Sequence, residues 1–286
     1  MKKISSIILL VLSFIISSNA QNHFFWKIES SNSTLYLLGS IHFGKKTIYP
    51  LDSIIEKSFE SSDNLVIEMD VNHVDKNILM KKSFYNDGSK LNDHISQNVY
   101  ELIKKKFAVK GIKEPFYEKM MPWLAFIRLQ QLDLLKSGFS PEEGIDMHFI
   151  NNAEKVKKSI LSLETLDDQI NTFEKVFNQV DSSHFEKIIN DFESQTNMVD
   201  TLFEVWKRGS LEEMTKLALE DSSDSVEKKI NSIMLDERNI RMYSKLIEFM
   251  TEKHKYFVVL GAAHLCGENG LVNLFSKNNK YKITKL

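Results

Sequence analysis

Two histidines in this sequence each follow a glycine by three residues, at Gly39-Ser40-Ile41-His42 and at Gly261-Ala262-Ala263-His264. Each glycine closes an apolar run. Two further apolar runs carry or precede a carboxylate: Glu68 in Leu65-Val66-Ile67-Glu68-Met69, with Asp70 just beyond, and Glu164 after Ser159-Ile160-Leu161-Ser162-Leu163. Imidazoles and carboxylates are the groups that bind divalent ions and the groups that move protons. Taken singly, each residue has a plainer explanation. A lone histidine is a surface or hydrogen-bonded residue, Glu68 faces solvent from an edge strand, Glu164 is an acid favoured by a helix start, and Asp70 is a turn or cap residue. Only their joint position at strand ends argues for chemistry.

The elements that must place them read as follows. Residues 24–29 and 34–39 form two strands joined by the polar turn at 30–33, a hairpin. Pro50 opens a helix through Leu51, Ile54, Ile55 and Phe59, Asp63-Asn64 ends it, and a strand follows at 65–69. That β-α-β unit requires a parallel pair or near neighbours in one sheet. Residues 98–110 and 116–136 are helical by spacing. Ser140-Pro141-Glu142-Glu143 has the form of a capping box with proline at the first helical position, which predicts a helix from there. After the strand at 159–163, Thr165-Leu166-Asp167-Asp168 caps another helix. Helical patterning then runs from about 169 to 253 with a break near 221–224. A strand at 256–260, a helix over 270–277 and a strand at 281–286 complete the chain.

The fold class that follows is α/β. A mixed central sheet is built from N-terminal, middle and C-terminal strands and flanked by many helices, with a large helical insertion at roughly 90–155 and 170–253. In open α/β sheets, ligands sit beyond the carboxyl ends of the strands. If the strands bearing these residues run parallel, both imidazoles and both carboxylates meet at one edge. Gly39 and Gly261 have a predicted mechanical role, to turn the strand sharply and to admit close approach.

Composition narrows the function classes. Lys2 and Lys3, an apolar core from Ile7 to Ile16 and a small-residue site ending at Ala20 have the form of a secretory signal peptide. The apolar core is shorter than the ~20 residues a spanning helix needs. Residues 1–20 are therefore read as a signal peptide and 21–286 as one domain, exported to the periplasm or secreted, with no membrane insertion of the mature chain. Removing the two lysines of that segment takes the net charge from −2 to −4, which offers no footprint for nucleic acid. The single cysteine, Cys266, excludes an internal disulfide and reads as a small buried thiol. Histidines 23, 73, 94, 148, 184 and 254 lack a partner at useful spacing and read as surface or packing residues.

Several segments together resemble the TraB/GumN family, which includes the pheromone-shutdown protein PrgY and looks related to the Tiki proteases. They are GSIH at 39–42, PLDSIIEKSFESSD from Pro50, LVIEMD at 65–70, GID at 144–146, LET at 163–165, the Arg238-Asn239 pair and VVLGAAHLCGENGLVNLF from Val258. Nearly all of the chain beyond residue 20 is covered, with weaker similarity at 71–140 and 170–230. The resemblance implies an α/β core and a divalent-metal-dependent peptidase or related hydrolase, with His42, Glu68, Glu164 and His264 as the matching site residues and Arg238 as an accessory.

The expected mechanism is metal-assisted hydrolysis of a peptide or protein substrate. His42, Glu68 and His264 would hold the ion, Glu164 would be the base or a second ligand, and the two glutamates could exchange roles. Arg238 would hold a substrate carboxylate or a developing oxyanion. The donors do not select among manganese, cobalt, zinc and iron. Two other classes compete: a non-catalytic peptide-sequestering protein of the pheromone-shutdown type, and a metal-independent esterase-like hydrolase.

Overall fold

The computed structural model describes residues 23–190, 192–219 and 224–286. The expected export segment at 1–20 and most of the polar break at 221–224 lie outside the described residues. Six strands are described: β1 (Phe25–Glu29), β2 (Thr34–Ser40), β3 (Asn64–Ile67), β4 (Ser159–Ser162), β5 (Lys255–Gly261) and β6 (Lys282–Lys285). They form one sheet in the order β4-β3-β5-β2-β1-β6. β2, β5, β3 and β4 are parallel neighbours, while β1 pairs antiparallel with both β2 and β6. This is the mixed α/β sheet that the sequence predicts, and the hairpin of β1 and β2 is part of it.

Helices fill the intervals. α1 (Ser53–Glu60), α2 (Lys76–Ser83), α3 (Gln97–Val109), α4 (Pro122–Lys136) and α5 (Ile145–Val156) precede β4. α6 (Leu166–Gln179), α7 (Ser182–Asn190), α8 (Phe192–Lys207), α9 (Leu211–Ala218), α10 (Ser225–Asn231) and α11 (Glu237–Phe249) separate β4 from β5, and α12 (Leu271–Ser276) separates β5 from β6. Among the described residues no helix is long and apolar enough to cross a membrane.

β5 is the centre of the packing. Tyr256 through Leu260 are all buried, because a strand with parallel neighbours and helices on both faces has no wet side. The ring of Phe257 meets Phe149 of α5 at 4.6 Å, Phe59 of α1 at 5.5 Å and Phe25 of β1 at 5.9 Å between centroids. Emptying such a position, as in Phe257→Ala, costs about 3–5 kcal/mol. α5 and α11 lie in this same core through Phe149, Ile150, Met242 and Leu246, so these parts of the expected helical insertion belong to the sheet layer. A separate cluster around Tyr100, Ile103, Phe107, Tyr117 and Leu129 holds α3, α4 and α7 together.

Three local expectations need correction. Residues 117–121 are not helical; α4 starts at Pro122, whose missing N–H costs nothing at a first turn. The helix expected from Ser140 starts instead at Ile145, after Gly144. Ser140 is tied into a bridge with Gly44 through bonds of 3.0 and 2.9 Å. That bridge holds its backbone extended, and its hydroxyl accepts from Glu142 N within a local turn. Neither Gly39 nor Gly261 adopts a positive φ, so the sharp-turn role assigned to them does not apply. The Thr165 box is present as expected, with Asp168 N bonding to the threonine hydroxyl and the Asp168 carboxylate accepting from Thr165 N.

Candidate functional site

The ends of the parallel strands deliver the residues to one place. His42 lies just past β2, Glu68 just past β3, Glu164 two residues past β4, and His264 in the single 3-10 turn Ala262–Leu265 that follows β5. The β3–β4 pairing continues beyond the strands proper, through Leu163 N to Ile67 O at 2.9 Å and Glu164 N to Glu68 O at 2.7 Å. That extension locks the two glutamates side by side.

Glu68 is buried and both its oxygens are engaged. Oε1 accepts from Gly261 N at 2.8 Å, and Oε2 accepts from Arg238 Nη2 at 2.7 Å. The same Oε1 is faced by two imidazole nitrogens, His264 Nε2 at 3.7 Å and His42 Nε2 at 3.8 Å. Burial opposes ionisation of Glu68, but the charges of His264, His42 and Arg238 and the Gly261 N–H outweigh it and hold the carboxyl below its usual range. A glycine at 261 leaves these groups their space. A Cβ at that position would stand 3.2 Å from both Glu68 Oε1 and His42 Nε2.

Each imidazole is held from behind. His42 Nδ1 lies 2.9 Å from Asp146 Oδ2, and Ser40 Oγ donates to the other oxygen of Asp146, also at 2.9 Å. Asp146 stands in the first turn of α5, where the N-terminal dipole favours a carboxylate. The start of α5 is clamped to the strand end, since Ile145 N bonds to Ile41 O at 3.2 Å and a Cβ on Gly144 would meet His42 O at 2.3 Å. His264 Nδ1 lies 2.6 Å from Asn239 Oδ1. The two rings differ in environment. Asp146 raises the pKa of His42, whose side chain is 56% exposed. Burial takes that of His264 down to about 4.

Arg238 is buried at the start of α11. It donates through Nε to Glu164 Oε1 at 2.8 Å, through Nη2 to Glu164 Oε2 at 2.6 Å and to Glu68 Oε2, and through Nη1 to Met234 O at 3.1 Å. Met234 sits in a π-helical turn, Ser232–Asp236, that leads into α11. Arg238 and the next residue, Asn239, are both buried. Both oxygens of Glu164 therefore bind Arg238. Arg238 in turn is charge-compensated by two carboxylates.

The structure thus brings together His42, Glu68, Glu164, Arg238 and His264. Asp146, Ser40 and Asn239 join them without having been assigned a role from the sequence. The sequence carries a signal for two of these, because Gly144-Ile145-Asp146 and Arg238-Asn239 are among the segments that carry the family resemblance. Nothing in the spacing distinguishes Ser40 or ties Asp146 to a histidine 104 residues away. Asp70 caps the turn at Asn72, as expected. Cys266 is a buried thiol whose sulfur donates to Ala262 O at 3.4 Å. His73, His94, His148, His184 and His254 make hydrogen bonds, ion pairs or ring contacts away from the site, and His23 pairs with Asp52.

Next to the strand ends lies a cavity of about 440 Å³ into which His42, Glu68, Asp146 and Arg238 open. Its other walls are largely apolar, with Phe43, Ile67, Met69, Met147, Phe173 and Met234. Among the described residues no three of His, Cys, Asp and Glu are closed into a ready-made metal cage. The donor chemistry nevertheless suits a divalent ion. Two Nε2 atoms, each with its Nδ1 occupied, converge on one carboxylate oxygen. Their 3.7 and 3.8 Å separations exceed by a few tenths the roughly 3.4 Å between neighbouring donors on a tetrahedral ion.

Comparison with known proteins follows the same lines. The chain is similar to YbaP of Escherichia coli (strain K12), an uncharacterized protein, at 22% identity over 254 residues that cover 87% of this chain and 92% of that protein. It matches YbaP of Shigella flexneri to the same extent. No solved structure matches it. The TraB/PrgY/gumN family matches residues 24–285, almost the whole of the described chain, and the protein belongs to that family.

Proposed function

We propose that the protein is an exported, divalent-metal-dependent hydrolase acting on peptides. One observation carries the reading: the Nε2 atoms of His42 and His264 face Glu68 Oε1 at 3.8 and 3.7 Å, while Asp146 and Asn239 occupy the opposite ring nitrogens. An oxygen bonded to the far ring nitrogen in this way fixes the tautomer and ring orientation of a metal-binding histidine. The ion, when bound, would polarise a scissile carbonyl and lower the pKa of water.

The other tasks fall to the chain itself. Asp146 and Ser40 orient His42, and Asn239 orients His264 with its Nε2 lone pair toward Glu68. Arg238 compensates the charge of Glu68 and Glu164 and keeps the Glu68 carboxylate in place. Glu164 positions Arg238 through both of its oxygens. The apolar cavity walls exclude water from a bound segment. The export part of the proposal rests on the signal-like residues 1–20. Manganese, cobalt and zinc all suit the donor set.

A second reading has its own observation. The Asp146–His42 pair, with the outer edge of His42 open to the cavity, is built like an oriented general base, and His42 Nε2 would take and return a proton without any ion. Chelation separates the two readings. Purified protein should contain a stoichiometric transition metal, and its peptide cleavage should vanish on chelation and return with the metal. Full cleavage by metal-free protein favours the Asp146–His42 reading. Absence of cleavage in both forms removes the hydrolase.

A further inference from the structure

A second cavity, of about 710 Å³, lies among the helices next to the site. It shares two elements with the site cavity. On α6, Gln169, Thr172 and Phe173 line the site cavity, whereas Glu174, Phe177 and Asn178 line the second. On α4, Gln131 lines the first and Trp123 the second. The partition between them is a stacked pair, Phe173 against Trp123, with ring centroids 5.7 Å apart and planes at 8°. On α6 the two linings adjoin at Phe173 and Glu174, and their middles lie about five residues apart, about 7–8 Å at the rise of an α-helix. An extended peptide crosses that distance in two to three residues.

The lining has a definite chemistry. Tyr85, Trp123, Phe177 and Phe185 supply aromatic surface. Asp93, Glu174 and Asp181 supply three carboxylates, and none of the described lining residues is a lysine or arginine. Asp93 and Asp181 also act as caps, accepting from Lys90 N and from Ser183 N and His184 N. Glu174 is exposed and makes no hydrogen bond or ion pair with another described residue. Trp123 is buried, and its Nε1–H has no acceptor among the described residues. Asp181 also pairs with the His184 imidazole at 3.0 Å, which leaves Glu174 as the open carboxylate of the lining, and aromatic faces beside an open carboxylate select a cationic group carried on an apolar stem.

We infer that this cavity is a subsite for a lysine or arginine side chain of a peptide, two to three residues from the bond lying in the site cavity. The inference rests on the peptide reading above for the nature of the occupant. Binding at the subsite needs neither metal nor turnover, so it is tested apart from catalysis.

The test is fluorescence anisotropy with the purified full chain in chelator. The probes are two labelled hexapeptides of alanine and leucine, identical except for a central lysine in one and norleucine in the other. The lysine peptide should bind roughly fivefold or more tightly. That preference should disappear in Glu174→Gln, reverse in Glu174→Lys, and persist in Glu101→Gln, an equal charge change on α3. Equal binding of the two peptides by the unmodified chain would overturn the subsite, as would a preference unaffected by both Glu174 changes. If the preference is found but no peptide is cleaved under any metal condition, the subsite stands and the hydrolase reading fails. Melting curves of the variants confirm that the exposed substitutions leave the chain folded.

Discussion

Asp146 reaches across from the first turn of α5 to hold His42 at 2.9 Å, and the backbones that carry them are in contact as well. The site is therefore clamped by a helix start, not simply hung from strand ends. Asp146→Asn keeps the shape but can no longer favour the same ring orientation through charge. Metal affinity or turnover should fall by about 10- to 100-fold, with the melting temperature nearly unchanged. Titration of the chelated protein with zinc and with manganese measures it. An Asp146→Asn variant with full affinity and full activity would remove Asp146 from the site.

Arg238 between Glu68 and Glu164 is a buried ion triad, and breaking it by removing one member leaves uncompensated charge in a poorly solvated place. Glu164→Ala should cost about 3–5 kcal/mol of stability, read from urea unfolding midpoints. The double change Glu164→Leu with Arg238→Met should restore part of that loss while leaving the protein inactive, because Glu68 would then lack its positioning partner. A Glu164→Ala protein as stable as the unmodified chain contradicts the assignment of this triad as a structural support.

Gly261→Ala tests the packing of the donors directly. The added methyl would lie 3.2 Å from Glu68 Oε1 and from His42 Nε2, tight enough to push one of them aside. Metal occupancy should drop at least tenfold, a shift of about 1.4 kcal/mol. The sheet, whose pairing does not use that position's side chain, should melt as before. Cys266→Ala is the matching control. It removes a buried thiol beside the same turn and should leave metal content and activity nearly as they were.

The two histidines should oppose each other in pH dependence. Burial lowers the pKa of His264 to about 4, below the ~6.5 of an unfolded histidine. Between those values the unfolded chain binds the extra proton, so stability present above pH 6.5 is lost as the pH falls toward 4. For His42, raised by Asp146, stability is fully present below pH 6.5 and is lost as the pH rises through its higher folded value. In chelated protein, His264→Gln should flatten the decline of unfolding midpoints from pH 7 to pH 5 relative to the unmodified chain. An unchanged slope would mean that His264 is solvated in the folded state.

How far the sequence reveals this site depends on the distance over which each interaction acts. His42 and His264 were legible because glycine, an apolar run and a histidine are all local features. Glu68 was legible because a carboxylate beside an apolar run needs a partner. The parallel pairing of β2, β5, β3 and β4 then brings these together. Glu164 looked like a helix-start acid from its neighbours, and its true partner, Arg238, lies 74 residues on. Asp146 and Asn239 act on histidines 104 and 25 residues away, and no pattern in composition or spacing encodes such a pair. The helix expected from Ser140 failed for a related reason. Its bridge to Gly44 is a tertiary contact that overrides a sound local capping signal.

The position of β5 bears on how the molecule comes into being during synthesis. It pairs with β2 on one side and β3 on the other, yet it follows Asp63, at the foot of β3, by 192 residues. A ribosome that has made β1 to β4 and every helix up to α11 has still made no adjacent parallel partner for β2, and Gly261 and His264 come later still. The growing chain therefore holds two half-sheets with unpaired edges and only part of a site until β5 inserts between them. Any chemistry that needs Gly261 and His264 is withheld until β5 and the turn after it have been made, and while it waits the nascent chain needs shielding from edge-to-edge association.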